Sequence, residues 1–64
     1  MNTQKEQNEI LKAIKKLKKA VRVIKRGMNE KNAAGCRMVI EGTEELIEDQ
    51  IEKFEQLRIM ERDA

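Results

Sequence analysis

The large apolar residues in the first half of this chain follow a heptad spacing. They recur at steps of four, three, four, three and four residues, and they are Ile10, Ile14, Leu17, Val21, Ile24 and Met28. This is the pattern of a helix that buries one narrow stripe against another helix. Small residues also recur every seven positions beside the stripe, at Ala13, Ala20 and Gly27. They would let a second helix approach closely, as in a bundle.

The second half of the chain carries a stripe that mirrors the first. Its members are Cys36, Ile40, Thr43, Ile47, Gln50, Phe54 and Leu57, with Val39, Leu46 and Ile51 widening it. Position numbers in the two stripes sum to 64 in pairs, so Ile10 is expected opposite Phe54 and Ile24 opposite Ile40. An antiparallel pair of helices hinged near Asn32 produces this symmetry.

The sequence therefore predicts an all-α fold, an antiparallel helical hairpin forming a single domain over residues 1–64. We expect helix 1 at about 5–28, helix 2 at about 34–62 and a turn near residues 29–35. That turn, "NEKNAAG", has the Asn and Gly typical of a helix–helix connection. No proline and three glycines also favour long helices.

Gly42 leaves a second helical arrangement open. It precedes Thr43 and two acids, and a Thr followed by acids is a common start of a new helix. Three short helices, at roughly 5–26, 29–41 and 43–62, are the alternative. Both arrangements keep the basic residues on the first helix and the acidic residues on the last.

Two helices alone bury a core that is too small for a stable domain. Apolar residues beside the stripes would be buried if two hairpins paired, and these are Leu11, Val23, Val39, Leu46 and Ile51. We therefore expect a homodimer that forms a four-helix bundle. Its oligomer seam is predicted at Ile14, Leu17, Val21, Ile47, Gln50 and Phe54. The polar Gln50 in that seam is expected to fix register and oligomer state.

Charge is distributed unevenly along the chain. Residues 1–31 carry ten Lys and Arg against three acids, a net charge of +7, whereas residues 32–64 carry four against nine, a net charge of −5. Helix 1 is therefore a candidate surface for a polyanion, RNA or DNA, through Lys12, Lys15, Lys16, Lys19, Arg22 and Arg26. No aromatic residues interleave with these cations and no DNA-reading motif is visible, so backbone contacts without sequence readout are expected. The alternative is a solvated face that pairs with the acids of helix 2.

The acidic helix supports a different class of function. Its exposed acids could dock a basic protein partner through Glu41, Glu45, Glu48, Glu52 and Glu55. The chain would then act as an inhibitor, antirepressor or adaptor, through this helix or the apolar flank. The Ile- and Lys-rich composition is typical of an AT-rich bacterial or phage genome.

Catalytic and metal chemistry have little support in the sequence. There is no His, and the single cysteine, Cys36, lies in the stripe as a small apolar residue would. We expect no enzymatic activity, no cofactor and no metal. Without a signal peptide or an apolar run of membrane length, we expect a cytoplasmic protein that does not enter a membrane.

Overall fold

A computed structural model describes residues 3–63 and shows two antiparallel α-helices packed against each other. Helix α1 spans Gln4–Arg26 and helix α2 spans Ala33–Asp63. Together they form a narrow rod with Cα extents of 52 × 14 × 10 Å. The predicted all-α hairpin is confirmed, while its pairing into a four-helix bundle stays a prediction.

The end of α1 is set by its last turn. Lys25 and Arg26 lie there, where positive charge interacts favourably with the helix dipole. The N–H of Gly27 donates to the carbonyl oxygen of Val23 at 3.2 Å, and the chain then leaves the helix. Met28 consequently lies outside α1 and is 37% exposed. The prediction that Met28 closes the apolar stripe is wrong, because the helix ends before reaching it.

Two asparagines form the connection between the helices. Asn29 Oδ1 accepts hydrogen bonds from the N–H groups of Lys31 and Asn32, at 2.9 and 3.1 Å. Asn32 Oδ1 accepts from the N–H of Asn29 at 2.7 Å, and Asn32 Nδ2 donates to the carbonyl of Gly27 at 3.0 Å. The carbonyl of Asn32 then accepts the N–H of Cys36 at 2.9 Å, which starts α2. Residues 33–35, expected in the turn, are therefore helical.

Helix α2 continues without a break through Gly42 and Thr43. The Thr43 hydroxyl donates to the carbonyl oxygen of Val39 at 2.7 Å, one turn back in the same helix. A threonine that capped a new helix would instead accept a bond from an N–H ahead of it. The three-helix alternative is therefore wrong.

The core is a single ladder of apolar side chains between the helices. Its buried members are Ile14, Val21, Ile40 and Ile47, and Ile10, Leu17 and Ile24 pack against them half-buried. The burial follows the predicted steps of three and four along both helices. Thr3 and Gln7 are also buried, at the open end of the hairpin, whereas the charged residues described next are exposed on the surface of the rod.

Candidate nucleic-acid interface

The six cations proposed from the sequence lie together on the outer face of α1. We call Lys12, Lys15, Lys16, Lys19, Arg22 and Arg26 the cationic face, and all six side chains are exposed. Each of them has other members three, four or seven positions away, which places them on neighbouring rows of one helix surface. From the first to the last, the face extends about 21 Å along the helix at 1.5 Å per residue.

Shallow hollows run between the stems of these side chains. One, of about 340 Å³, is lined by Lys12, Lys15, Lys16, Lys19 and Arg22. A second, of about 180 Å³, is lined by Lys19, Arg22, Val23 and Arg26. Aliphatic stems cover the helix while the charged groups extend into water. The face is thus a continuous convex cationic surface rather than an enclosed pocket.

Acids of α2 approach the cationic face at one edge only among the described residues. A groove of about 610 Å³ between the helices is lined by Lys18 and Arg22 on one side, Glu44 and Glu48 on the other, with Val21 and Ile47 at its base. Within residues 3–63, no acid forms an ion pair with a side chain of the cationic face. Arg22 is therefore the one member of the cationic face that lines this groove with acids.

The acids proposed for a protein partner occupy the outer face of α2. We call Glu41, Glu45, Glu48, Glu52 and Glu55 the acidic face, and all five are exposed. Only Glu48 lines the groove shared with α1. The two charged faces thus lie on opposite outer sides of the rod, because each is on the side of its helix that points away from the seam.

The proposed seam residues lie between the two helices of one hairpin. Ile14, Val21 and Ile47 are buried, whereas Leu17, Gln50 and Phe54 are half-buried. Leu17 and Gln50 also line an open groove with Ala13, Lys16 and Leu46, so this part of the seam is accessible from one side. Whether a second hairpin covers it stays a prediction.

A polar cluster at the open end of the hairpin was missed by the sequence reasoning. Glu61 Oε1 accepts the N–H of Thr3 at 2.8 Å, and Glu61 Oε2 accepts from Gln7 Nε2 at 2.9 Å. Gln7 Nε2 also donates to Thr3 Oγ1 at 2.9 Å. We call Thr3, Gln7 and Glu61 the terminal clamp. A signal was present, since Thr3 and Gln7 continue the heptad spacing toward the N-terminus and positions 3 and 61 also sum to 64.

The clamp changes the acidity of its carboxylate. The backbone N–H of Thr3, aided by the side chains of Thr3 and Gln7, lowers the pKa of Glu61 below its usual value. Each of these donors stabilises the ionised form. The clamp fastens the two ends of the hairpin and is distant in sequence from the cationic face.

Between residues 3 and 63 no group of three or more His, Cys, Asp or Glu side chains could hold a metal ion. Neither α1 nor α2, as described, contains a stretch apolar enough to cross a bilayer. No family model, curated protein or solved structure matches this chain. Its own surfaces therefore provide the basis for a functional proposal.

Proposed function

We propose that this chain is a small, non-enzymatic regulatory protein that acts as a homodimeric helical bundle and binds a polyanion, RNA or DNA, through α1. The observation that supports this most is the exposure of the whole cationic face without an ion-pair partner among residues 3–63. Unpaired cations clustered on one side of a helix repel each other. A ligand that supplies closely spaced negative charges relieves this repulsion and releases its own counterions.

The dimensions of the cationic face fit a nucleic-acid backbone. Duplex DNA carries about one negative charge per 1.7 Å of its axis, so the roughly 21 Å face lies opposite many phosphates. Lysine and arginine stems reach several ångströms from the helix, which lets adjacent rows contact different phosphates. Contacts of this kind set affinity and orientation without reporting the base sequence.

Sequence-independent binding is expected because the face lacks the groups that read bases. It contains no aromatic residue for stacking and no Asn or Gln for bidentate contact with adenine. Arg22 and Arg26 could contact guanine, but two arginines on a convex face are not sufficient to recognise a base sequence. We expect duplexes of unrelated sequence to bind within a few-fold of one another.

The test is a titration of fluorescein-labelled 20-base-pair duplexes, one of DNA and one of RNA, followed by anisotropy. If all six cations contact phosphate, the slope of log affinity against log salt is about −5, and affinity falls roughly 1,000-fold between 50 and 200 mM salt. The triple variant Lys12→Ala, Lys19→Ala, Arg26→Ala should lower the slope by about half.

A matched control separates the face from net charge alone. The variant Lys31→Ala, Arg37→Ala, Arg62→Ala removes the same charge from exposed positions outside the cationic face. It should retain most of the affinity. Equal losses in the two triple variants would mean that α1 provides no defined surface, and no measurable binding at 50 mM salt would reject the proposal.

The alternative function is that of a protein-binding inhibitor, antirepressor or adaptor. The observation in its favour is the acidic face, which presents five exposed carboxylates on one side of α2. Such a row could contact a basic protein surface in place of nucleic acid. The variant Glu45→Lys, Glu52→Lys distinguishes the two functions, because it should leave polyanion binding by α1 intact and abolish capture of a basic partner.

A further inference from the structure

The two broad faces of the hairpin, one on each side of the plane containing α1 and α2, differ sharply in composition. On one side, Ala13 and Leu46 line an open groove, and steps of seven residues place other small and apolar residues in the same rows. We call this side the apolar face, and its small and apolar members are Ala13, Ala20, Gly27, Val39, Leu46 and Met60; the same rows also contain the charged residues Glu6 and Lys53. Val39 and Leu46 are 54% and 52% exposed there.

The opposite broad face is mostly charged. Lys18 and Glu44 line its groove, and the same seven-residue steps add Lys25 and Arg37. Leu11 and Ile51 are its apolar members. The flanking residues expected to be buried together between hairpins are therefore divided, with Val39 and Leu46 on the apolar face, Leu11 and Ile51 on the opposite one, and Val23 in a hollow of the cationic face. The apolar face has fewer charged positions in its rows than the opposite one.

We propose that the apolar face is the dimer interface and that it places α1 of each subunit against α2 of the partner subunit. The size of the face fits a second copy of this chain. The whole side of the rod has a projected outline of 52 × 14 Å, roughly 730 Å², which is of the same order as the ~800 Å² that each partner contributes to a standard stable interface. This inference rests on the proposed homodimer and is tested separately from polyanion binding.

The net charges of α1 and α2 favour one pairing of helices between the two subunits. Helix α1 carries nine Lys and Arg against two Glu, whereas α2 carries four against nine acids. Placing α1 against its own copy would bring two strongly cationic helices together. Placing α1 against the partner's α2 brings opposite charges together on both sides of the dimer, since two-fold symmetry repeats the contact.

Symmetry also fixes the register of this arrangement. The two-fold axis must run parallel to the helices, so residues at one level in the first subunit are at the same level in the second. Positions that sum to about 64 are level within a hairpin, as Thr3 and Glu61 show by their hydrogen bond. Lys16, at the edge of the apolar face, is therefore level with Asp49 of the partner subunit. This contact uses one member of the cationic face and leaves the remaining five free on the outside.

Two leucines provide a matched test of the face. Leu46, 52% exposed, lies on the apolar face, and Leu11, 47% exposed, lies on the opposite one. In sedimentation equilibrium the wild type should be a dimer, and Leu46→Gln should raise the dissociation constant about 100-fold because two buried leucines are lost per dimer. Leu11→Gln should change it only a few-fold. A monomeric wild type at 100 µM, or equal effects of the two variants, would overturn the inference.

Cross-linking tests which helices pair. Lys16→Cys and Asp49→Cys are prepared separately, each with Cys36→Ser, and only one carries an affinity tag. After subunit mixing at 100 µM, a short bismaleimide should join Lys16→Cys to Asp49→Cys across the dimer, with neither variant cross-linking alone. Cross-linking of Lys16→Cys to itself would show α1 against α1 and overturn the arrangement, as would a dimer without any cross-link. Since polyanion binding is measured separately by anisotropy, either proposal can fail alone.

Discussion

The backbone N–H of Thr3 donates a 2.8 Å hydrogen bond to the carboxylate of Glu61, which lies 58 positions later in the chain. Gln7 joins them by donating to both the carboxylate and the Thr3 hydroxyl. The first residue described before α1 is thereby attached to the last turns of α2. The contact continues the apolar ladder as a polar layer, in the same mirrored register.

Replacing Glu61 by Gln should change how stability depends on pH. The hydrogen bond from the Thr3 N–H lowers the pKa of Glu61 below its usual 4.5. A lowered pKa in the folded state means that the ionised carboxylate stabilises the fold above the unfolded pKa, and that this stability is lost as pH falls through the folded pKa. The free-energy difference between wild type and Glu61→Gln, from urea unfolding, should be largest above pH 5 and shrink toward pH 3. Glu52→Gln, at an exposed site on α2, is the matched control.

The connection between the helices should depend on the side chain of Asn32. Its Oδ1 accepts the N–H of Asn29 and its Nδ2 donates to the carbonyl of Gly27. Asn32→Ala removes both bonds, and we expect a loss of about 1–2 kcal/mol in the free energy of unfolding. Lys31→Ala is the control, because Lys31 contributes a backbone N–H that alanine retains. Equal stability of the two variants, measured by circular dichroism in urea, would contradict this role.

Gln50 is expected to lower the stability of the fold while favouring one oligomeric state. It is half-buried beside Leu17 and Leu46, on the side assigned to the dimer. Gln50→Leu should add about 1 kcal/mol of stability and raise Tm by several degrees. Sedimentation velocity should also show a mixture of oligomers, because the polar group no longer disfavours alternative pairings. If the variant remains a clean dimer of unchanged mass, Gln50 does not set the oligomer state.

Gly42 lies inside α2, and no neighbouring atom of the hairpin is close enough to require a glycine there. A Cβ built on it would meet nothing within 4 Å. Gly42→Ala should therefore stabilise the helix by up to about 1 kcal/mol, the usual difference between these residues in a helix interior. Gly35→Ala has equally open surroundings but lies in the first turn of α2, so a smaller gain is expected. Thermal unfolding at 222 nm compares them, and destabilisation by Gly42→Ala would reveal a close neighbour outside the hairpin.

Purified protein should carry nucleic acid at low salt. The chain contains no Trp or Tyr and one Phe, so its own absorbance at 260–280 nm is very weak. A peak at 260 nm that disappears after a high-salt wash is expected if α1 binds a polyanion, because the contacts are electrostatic. A blank spectrum from a folded dimer would favour a protein partner, and affinity capture with the acidic-face variant Glu45→Lys, Glu52→Lys as control would follow.

The apolar spacing was sufficient to predict the hairpin because burial in a helix pair depends directly on it. Ile14, Val21, Ile40 and Ile47 form the core at the positions that the heptads indicated. Helix ends were less predictable, since they depend on individual hydrogen bonds. Asn32 starts α2 earlier than expected, and Gly27 ends α1 before Met28. Thr43 was ambiguous because its hydroxyl can cap a helix or bond within one, and only the structure distinguishes them.

The candidate site was predictable only as a surface. Helical geometry placed Lys12, Lys19 and Arg26 in one row from their spacing alone. The position of Arg22 beside Glu44 and Glu48 could not be predicted, because it depends on how the two helices are rotated against each other. The terminal clamp could not be predicted from apolar spacing, since Thr3 and Gln7 are polar.

The terminal clamp also determines how the molecule would respond to mechanical load. Because Thr3 and Glu61 are hydrogen-bonded to each other, a force applied to them in opposite directions separates the two helices from the open end of the hairpin. The clamp would break first, and each layer of the apolar ladder would then bear the load in turn until the Asn29–Asn32 connection is reached. Because the layers would be loaded one at a time, the 52 Å rod should open at low force when it is pulled by its ends.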